Sequence, residues 1–313
     1  MKIKTWQVIV TAVLVLLLVL FVPVVVKRPA SKVLYGPSLS DVDYTEVTFQ
    51  SGELNLAAML ILPKGGGPFP VAVFIHGAGT SRRDNPWYLS FAKHFQENGI
   101  AVLLPDKRGS EQSEGRWQEA SFFDLAEDAL VAVEFVKTQS SFEYSAIGII
   151  GMSQGGWIAP LVAPEDEDIS FVISVSGAAV STDEQLVHEE VNTIHNMGVY
   201  KFLARAIAPI SSRSIKNKRQ KEFWDKIGGF DPIPYWKAVT VPVFVAFGEK
   251  DEYDNVPVVE SVRRLRSLNK SNITVKVYPG GGHAVEDPRT HYVQKQLQND
   301  LVAFINKISA QNL

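Results

Sequence analysis

The stretch Ile147-Gly148-Ile149-Ile150-Gly151-Met152-Ser153-Gln154-Gly155-Gly156-Trp157-Ile158-Ala159 decides the fold. Its first four residues form a short apolar run, the pattern of a strand buried on both faces. Its last four read as the start of a helix. Between them lies Gly-x-Ser-x-Gly. Five-residue patterns of this kind recur by chance, but here the pattern joins a strand to a helix through a sharp turn. The turn forces the serine into a strained conformation, and glycines two residues to either side let neighbouring backbone approach without a Cβ clash. Ser153 is therefore the candidate nucleophile. A plain turn serine is the competing reading, disfavoured by the strand–turn–helix setting.

A serine hydroxyl needs a base at neutral pH. His283 follows Pro279-Gly280-Gly281-Gly282, just past a strand-like run at residues 273–277, on a loop able to reach the same sheet edge. His94, His188, His195 and His291 fall in helix-like segments or in the stretch 178–236 and read as packing or surface residues. The base needs an acid to hold its tautomer. Asp251 in Gly248-Glu249-Lys250-Asp251 follows the strand at 243–247; Asp254 is its main rival, with Glu249 and Glu252 weaker. An oxyanion needs preorganised donors. The N–H of Gln154 is one. The N–H of Ala78, in His76-Gly77-Ala78-Gly79 after the strand at 71–75, is the expected second, with His76 structural.

Around this constellation the chain alternates. Strand-like runs at 45–50, 54–62, 71–75, 100–104, 147–150, 171–175, 243–247 and 273–277 are interleaved with helical spacing at 87–98, 122–136, 256–268 and 291–308. Such alternation predicts an α/β fold, a mostly parallel central sheet flanked by helices, with an antiparallel edge where Ser51-Gly52 joins the first two strands. Residues 29–44 read as a linker and 45–313 as the domain. Residues 178–236 are too long for a loop and predict an inserted helical cap. The cap is acidic first (Asp183, Glu184, Glu189, Glu190), then basic (Lys201, Arg205, Arg213, Lys216, Lys218, Arg219, Lys221). Its apolar residues fit an amphipathic helix broken at Pro209. Packing onto the core is the plainer expectation for them. The sharper one is that Phe202, Leu203 and Ile207 line a substrate channel above Ser153, with the basic face against an anionic bilayer.

The 313 residues are 46% hydrophobic and 21% charged, with a formal net charge of -3 and no cysteine. That composition argues against disorder and against a basic nucleic-acid-binding domain, and it removes disulfides, thiolate catalysis and Cys-ligated zinc. Residues 8–26 are almost wholly apolar, broken by Thr11 and Pro23 and closed by Lys27 and Arg28. About 20 such residues span a hydrocarbon core as a helix. Residues 1–28 are expected to be a single-pass transmembrane anchor, with a cleaved secretory signal as the alternative. The flanking charges barely discriminate orientation; an extracytoplasmic domain is favoured because such segments commonly direct export.

From about residue 45 onward the chain resembles the α/β-hydrolase superfamily, and is similar in particular to bacterial carboxylesterases and the monoacylglycerol lipase and serine aminopeptidase group. The matching pieces are His76-Gly77-Ala78-Gly79, Asp106-Lys107-Arg108-Gly109, the Gly151–Gly155 turn, Gly248-Glu249-Lys250-Asp251 and the glycines before His283. The order Ser153, Asp251, His283 matches that superfamily. Glu111 stands where relatives commonly carry glycine, which puts the local loop shape in question. The resemblance implies a hydrolase with no metal or cofactor, acting on a small-molecule or lipid-like ester. Peptide or amide cleavage is one alternative, though no element recognising a peptide amino terminus is readable. A catalytically inactive, membrane-tethered binding module is another, disfavoured because every triad candidate is present.

Overall fold

The structure, a computed structural model, describes residues 33–311 together with Thr11. The domain begins with strand β1 (Thr45–Ser51) and β2 (Leu54–Ile61), joined at Gly52, whose φ of 56° lies in the left-handed region that glycine adopts without strain. Then follow β3 (Phe69–Ile75), helix α1 (Pro86–Glu97), β4 (Ala101–Pro105), α2 (Phe122–Lys137), β5 (Tyr144–Met152), α3 (Gly155–Val162) and β6 (Ile169–Val175). Four helices come next: α4 (Thr182–Asn196), α5 (Lys201–Ser214), α6 (Lys221–Ile227) and α7 (Ile233–Ala238). The chain closes with β7 (Val243–Gly248), α8 (Val258–Ser267), β8 (Ile273–Tyr278) and α9 (Lys295–Ser309).

The strands form one eight-stranded sheet in the order β1-β2-β4-β3-β5-β6-β7-β8. β1 and β2 pair antiparallel with each other, β2 pairs antiparallel with β4, and every later pairing is parallel. Parallel strands demand crossovers, and the crossover helices cover both faces. One face packs against α2, α3 and α8, the other against α1 and α9. β3 and β5 lie at the centre, β3 buried along its length and β5 buried from Ala146 to Met152, and both end at the edge where the site forms. Helix α2 starts where Ser121 and Asp124 cap each other reciprocally, a device typically worth about 1 kcal/mol.

Three expectations change. Residues 33–44 are docked: Val42 is buried, Leu34, Leu39 and Tyr44 pack against the α1 and α9 face, and the Tyr35 N–H donates to the His291 carbonyl. Pro209 does not break its helix. α5 continues from Lys201 to Ser214, because the Arg205 carbonyl that loses its partner sits on an exposed turn that water reaches. The last helix starts four residues late, since His291 takes a φ of 60° and residues 291–294 form a loop. Among the described residues no helix is long and apolar enough to cross a membrane. The expected anchor at residues 1–28 lies outside them, Thr11 aside.

Candidate active site

β5 delivers Ser153 to the sheet edge in a turn so tight that the glycines are obligatory. A Cβ on Gly151 would fall 2.2 Å from the Gly155 carbonyl oxygen, and one on Gly155 would fall 2.2 Å from that of Ile75. Ser153 itself takes a φ of 52°, an uncommon conformation for a side-chain-bearing residue, held by its N–H bond of 2.8 Å to the Val175 carbonyl. The hydroxyl thereby projects away from the sheet, clear of the backbone that made the turn.

His283 Nε2 lies 2.9 Å from Ser153 Oγ, and its Nδ1 lies 2.8 Å from Asp251 Oδ2. An ionised carboxylate only accepts, so Nδ1 carries the proton and Nε2 offers its lone pair to the serine hydroxyl. Asp251 is fully buried, which makes the tautomer preference strong, and its other oxygen accepts the Asn255 N–H at 3.3 Å. The rival carboxylates are committed elsewhere. Glu249 accepts the Gly280 N–H, Glu252 accepts the Val259 N–H, and an Asp254 oxygen accepts from the Asn255 amide. Trp87 packs against the imidazole with ring centroids 5.4 Å apart, fixing its plane.

Gly77 is pressed against the nucleophile: a Cβ there would meet that of Ser153 at 3.2 Å. This brings Ala78 and Gln154 into one cleft with Ser153 and His283. Neither the Ala78 nor the Gln154 N–H donates to a protein acceptor among the described residues, so two backbone donors stand beside the hydroxyl with nothing to bond. His76 is not a base. Its Nε2 donates to the Pro105 carbonyl at 2.7 Å, and burial, with the nearby Lys107 charge, pushes it down to about 3, so it stays neutral. Burial likewise raises the Tyr88 phenol, keeping it a neutral hydroxyl that accepts the Gly77 N–H at 2.8 Å.

The cleft holds about 570 Å3. Its roof comes from the helices between β6 and β7, through Leu186, Glu189 and Glu190 of α4, Ile215, and Phe223, Trp224 and Ile227 of α6. Phe202, Leu203 and Ile207 are not brought to it. α5 turns its small stripe, Ala204, Ala208 and Ser212, inward and leaves Phe202 67% and Ile207 44% exposed, so these residues do not line a channel above Ser153. The apolar pattern identified the helix but not which side faces in, because small residues permit closer packing against α4 than large ones do. A neighbouring groove of about 580 Å3 begins at Ala78 and Gly79 and runs past Lys218, Arg219 and Lys221.

Behind the site, Asp106 and Arg83 form a buried ion pair at 2.8 Å, and burial raises the Asp106 carboxyl against the opposing pull of Arg83. Glu111, standing where glycine is common, reaches the glycine conformation itself with a φ of 48°, a cost of about 1 kcal/mol. Its carboxylate accepts the Arg83 N–H at 3.1 Å. Sequence reasoning missed Lys107, which is buried beside Gly77 and Gln154; the signal available was its position just past the buried strand β4.

Among proteins of known activity, the chain is 25% identical over 245 residues to the esterase EstD of Thermotoga maritima, covering 73% of this chain and 58% of that one. It is 25% identical over 244 residues to the peroxisomal succinyl-coenzyme A thioesterase of Mus musculus, covering 75% and 53%. It is 36% identical over 135 residues to thiohydrolase aneE of Aspergillus aculeatus, covering 42% and 41%. The chain thus spans about half the length of these relatives. Among solved structures, the Pyrococcus furiosus esterase Pf2001 shares the fold with a TM-score of 0.65 at 17% identity, over 90% of this chain and 98% of that one. The α/β hydrolase GrgF from Penicillium sp. sh18 does so with a TM-score of 0.64 at 18% identity, over 86% and 100%. Residues 129–305, more than half the chain and including Ser153, Asp251 and His283, match the family described as BAAT / acyl-CoA thioester hydrolase C terminal. With its sheet order, its strained serine turn and this match, the chain belongs to the BAAT / acyl-CoA thioester hydrolase C-terminal family, within the α/β-hydrolase superfamily.

Proposed function

We propose that the chain is a serine hydrolase cleaving carboxylic esters through an acyl-enzyme. The observation that carries this reading is the unbroken hydrogen-bond chain Ser153–His283–Asp251 at 2.9 and 2.8 Å, beside two unspent backbone donors. Ser153 Oγ attacks the acyl carbon as His283 Nε2 takes its proton. The carbonyl oxygen becomes an oxyanion held by the N–H groups of Gln154 and Ala78. The intermediate collapses, His283 returns the proton to the leaving alkoxide, and the ester becomes a Ser153 acyl-ester plus alcohol. Water, deprotonated by His283, then releases the acid. No step calls on a metal or cofactor. A thioester substrate is a second reading, favoured by the groove of Lys218, Arg219 and Lys221, which suits an anionic leaving group. Comparing kcat/KM for p-nitrophenyl esters and acyl-coenzyme A thioesters of the same acyl group tests both; turnover of neither would contradict both.

Acyl selectivity should reside in the cleft roof and not in the outward face of α5. We expect Trp224→Ala to raise kcat/KM for longer acyl chains relative to acetyl by about tenfold, the effect of one or two methylenes in an apolar pocket. Phe202→Ala should leave the chain-length profile unchanged. A p-nitrophenyl ester series on both variants checks this, and a profile shifted by Phe202→Ala alone would contradict it.

We propose further that residues 1–28 form a single-pass anchor holding the catalytic domain outside the cytoplasm, with secretion after signal cleavage as the alternative. Support comes from the apolar run at 8–26. Deleting residues 1–28 is expected to move the protein from the membrane to the soluble fraction with kcat/KM retained. Full-length protein in the soluble fraction with Met1 intact would contradict an anchor; a shortened N-terminus would favour cleavage.

A further inference from the structure

We propose that Lys107 is a positioning residue of the oxyanion hole, its ammonium aiming and polarising the Ala78 N–H; this rests on Ser153 being the nucleophile. Lys107 lies two residues past the end of β4 and is only 7% exposed. Its Nζ lies 2.7 Å from the Gly77 carbonyl oxygen, 2.9 Å from Gln154 Oε1 and 3.3 Å from the Gly79 carbonyl oxygen. An ammonium has three N–H donors, and three carbonyl acceptors surround this one. The Trp117 ring lies on another side, its centroid 5.6 Å away.

The Gly77 carbonyl and the Ala78 N–H belong to one peptide unit. That unit is planar and trans, so its C=O and N–H point in opposite directions. Holding the carbonyl on Lys107 therefore turns the N–H away from the lysine. The Tyr88 hydroxyl accepts the N–H of Gly77 itself, pinning the loop from its other side. The ammonium also draws electron density towards the carbonyl oxygen, leaving the N–H a stronger donor. Charge-assisted bonds are roughly twice as strong as neutral ones, and low local dielectric strengthens them further. The same ammonium holds the side chain of Gln154, whose N–H is the other donor. One charge thus ties both halves of the hole together.

No carboxylate forms an ion pair with Lys107 among the described residues, so its charge is left to act on the developing oxyanion. Burial pushes the Lys107 ammonium down to about 7, which marks how costly it is to keep a cation there. A lysine serving only to fill space would be better replaced by an apolar side chain of equal length.

The test uses Lys107→Met, unbranched, uncharged and one atom shorter, and Lys107→Gln, whose amide still donates to a loop carbonyl. Steady-state ester hydrolysis, affinity for phenylboronic acid, which forms a tetrahedral serine adduct, and melting temperature are measured on the full chain. We expect kcat to fall about 100-fold in Lys107→Met, the scale of one lost oxyanion donor. KM should stay within about threefold and boronate affinity should weaken with kcat, while Lys107→Gln lies between the variant and the parent. Unchanged kcat would overturn the proposal. So would a loss shared between kcat and KM that follows the melting temperature without weakening the boronate selectively. If Lys107→Met does not fold, Lys107→Gln is judged by the same criteria, and failure of both to fold would assign Lys107 a structural part and equally overturn it. A parent enzyme that forms no adduct at Ser153 would instead mean that the underlying reading has failed.

Discussion

Ser153→Ala is expected to lower kcat for ester hydrolysis by about 10⁶-fold, the scale of losing a triad serine, while the fold survives. The substitution deletes one oxygen and adds no bulk, and alanine retains the N–H that bonds the Val175 carbonyl. Residual hydrolysis would come from the oxyanion donors acting on water. Rates are compared with fluorophosphonate labelling, which should vanish, and with melting temperature, which should move by only a few degrees. A variant retaining an appreciable fraction of parental kcat would require another nucleophile.

Asp251→Asn is expected to cost about 10⁴-fold in kcat. The amide NH2 that faces His283 Nδ1 donates where the carboxylate accepted. That favours the tautomer with the proton on Nε2, the nitrogen that must accept from Ser153, and removes the charge that stabilises the imidazolium. Because Asp251 is fully buried, water cannot substitute for it. Asp254→Asn should stay within about tenfold of the parent, since the Asp254 oxygen that bonds Asn255 serves the loop. The paired kcat values discriminate, and a larger loss from Asp254→Asn would exchange the two assignments.

The candidate site was legible because a serine placed between a strand and a helix constrains the backbone as well as the side chains. A Cβ on Gly151 or Gly155 would fall 2.2 Å from a backbone carbonyl oxygen, so the serine turn leaves a mark in sequence. Asp251 and His283 are marked likewise by their positions just beyond apolar strands, where a parallel sheet gathers its loops. The outward face of α5 was illegible. A helix carrying both an Ala204-Ala208-Ser212 stripe and large apolar residues offers two faces that could pack, and the choice depends on how near α4 approaches. Lys107 was illegible for a different reason: lysine reads as a surface residue, and only the convergence of three carbonyls from distant chain positions gives it a place indoors. The continuity of α5 through Pro209 depends on solvent reaching one carbonyl, which periodicity does not record.

The most direct measurement is trapping of the acyl-enzyme. Rapid mixing with excess p-nitrophenyl ester should release a burst of about one p-nitrophenolate per chain. Acid quenching followed by peptide mass analysis should find one acyl group, on the peptide containing Ser153. The account predicts that adduct, and its absence in Ser153→Ala. Turnover with no burst and no acyl group on Ser153, or an acyl group on another residue, would contradict it.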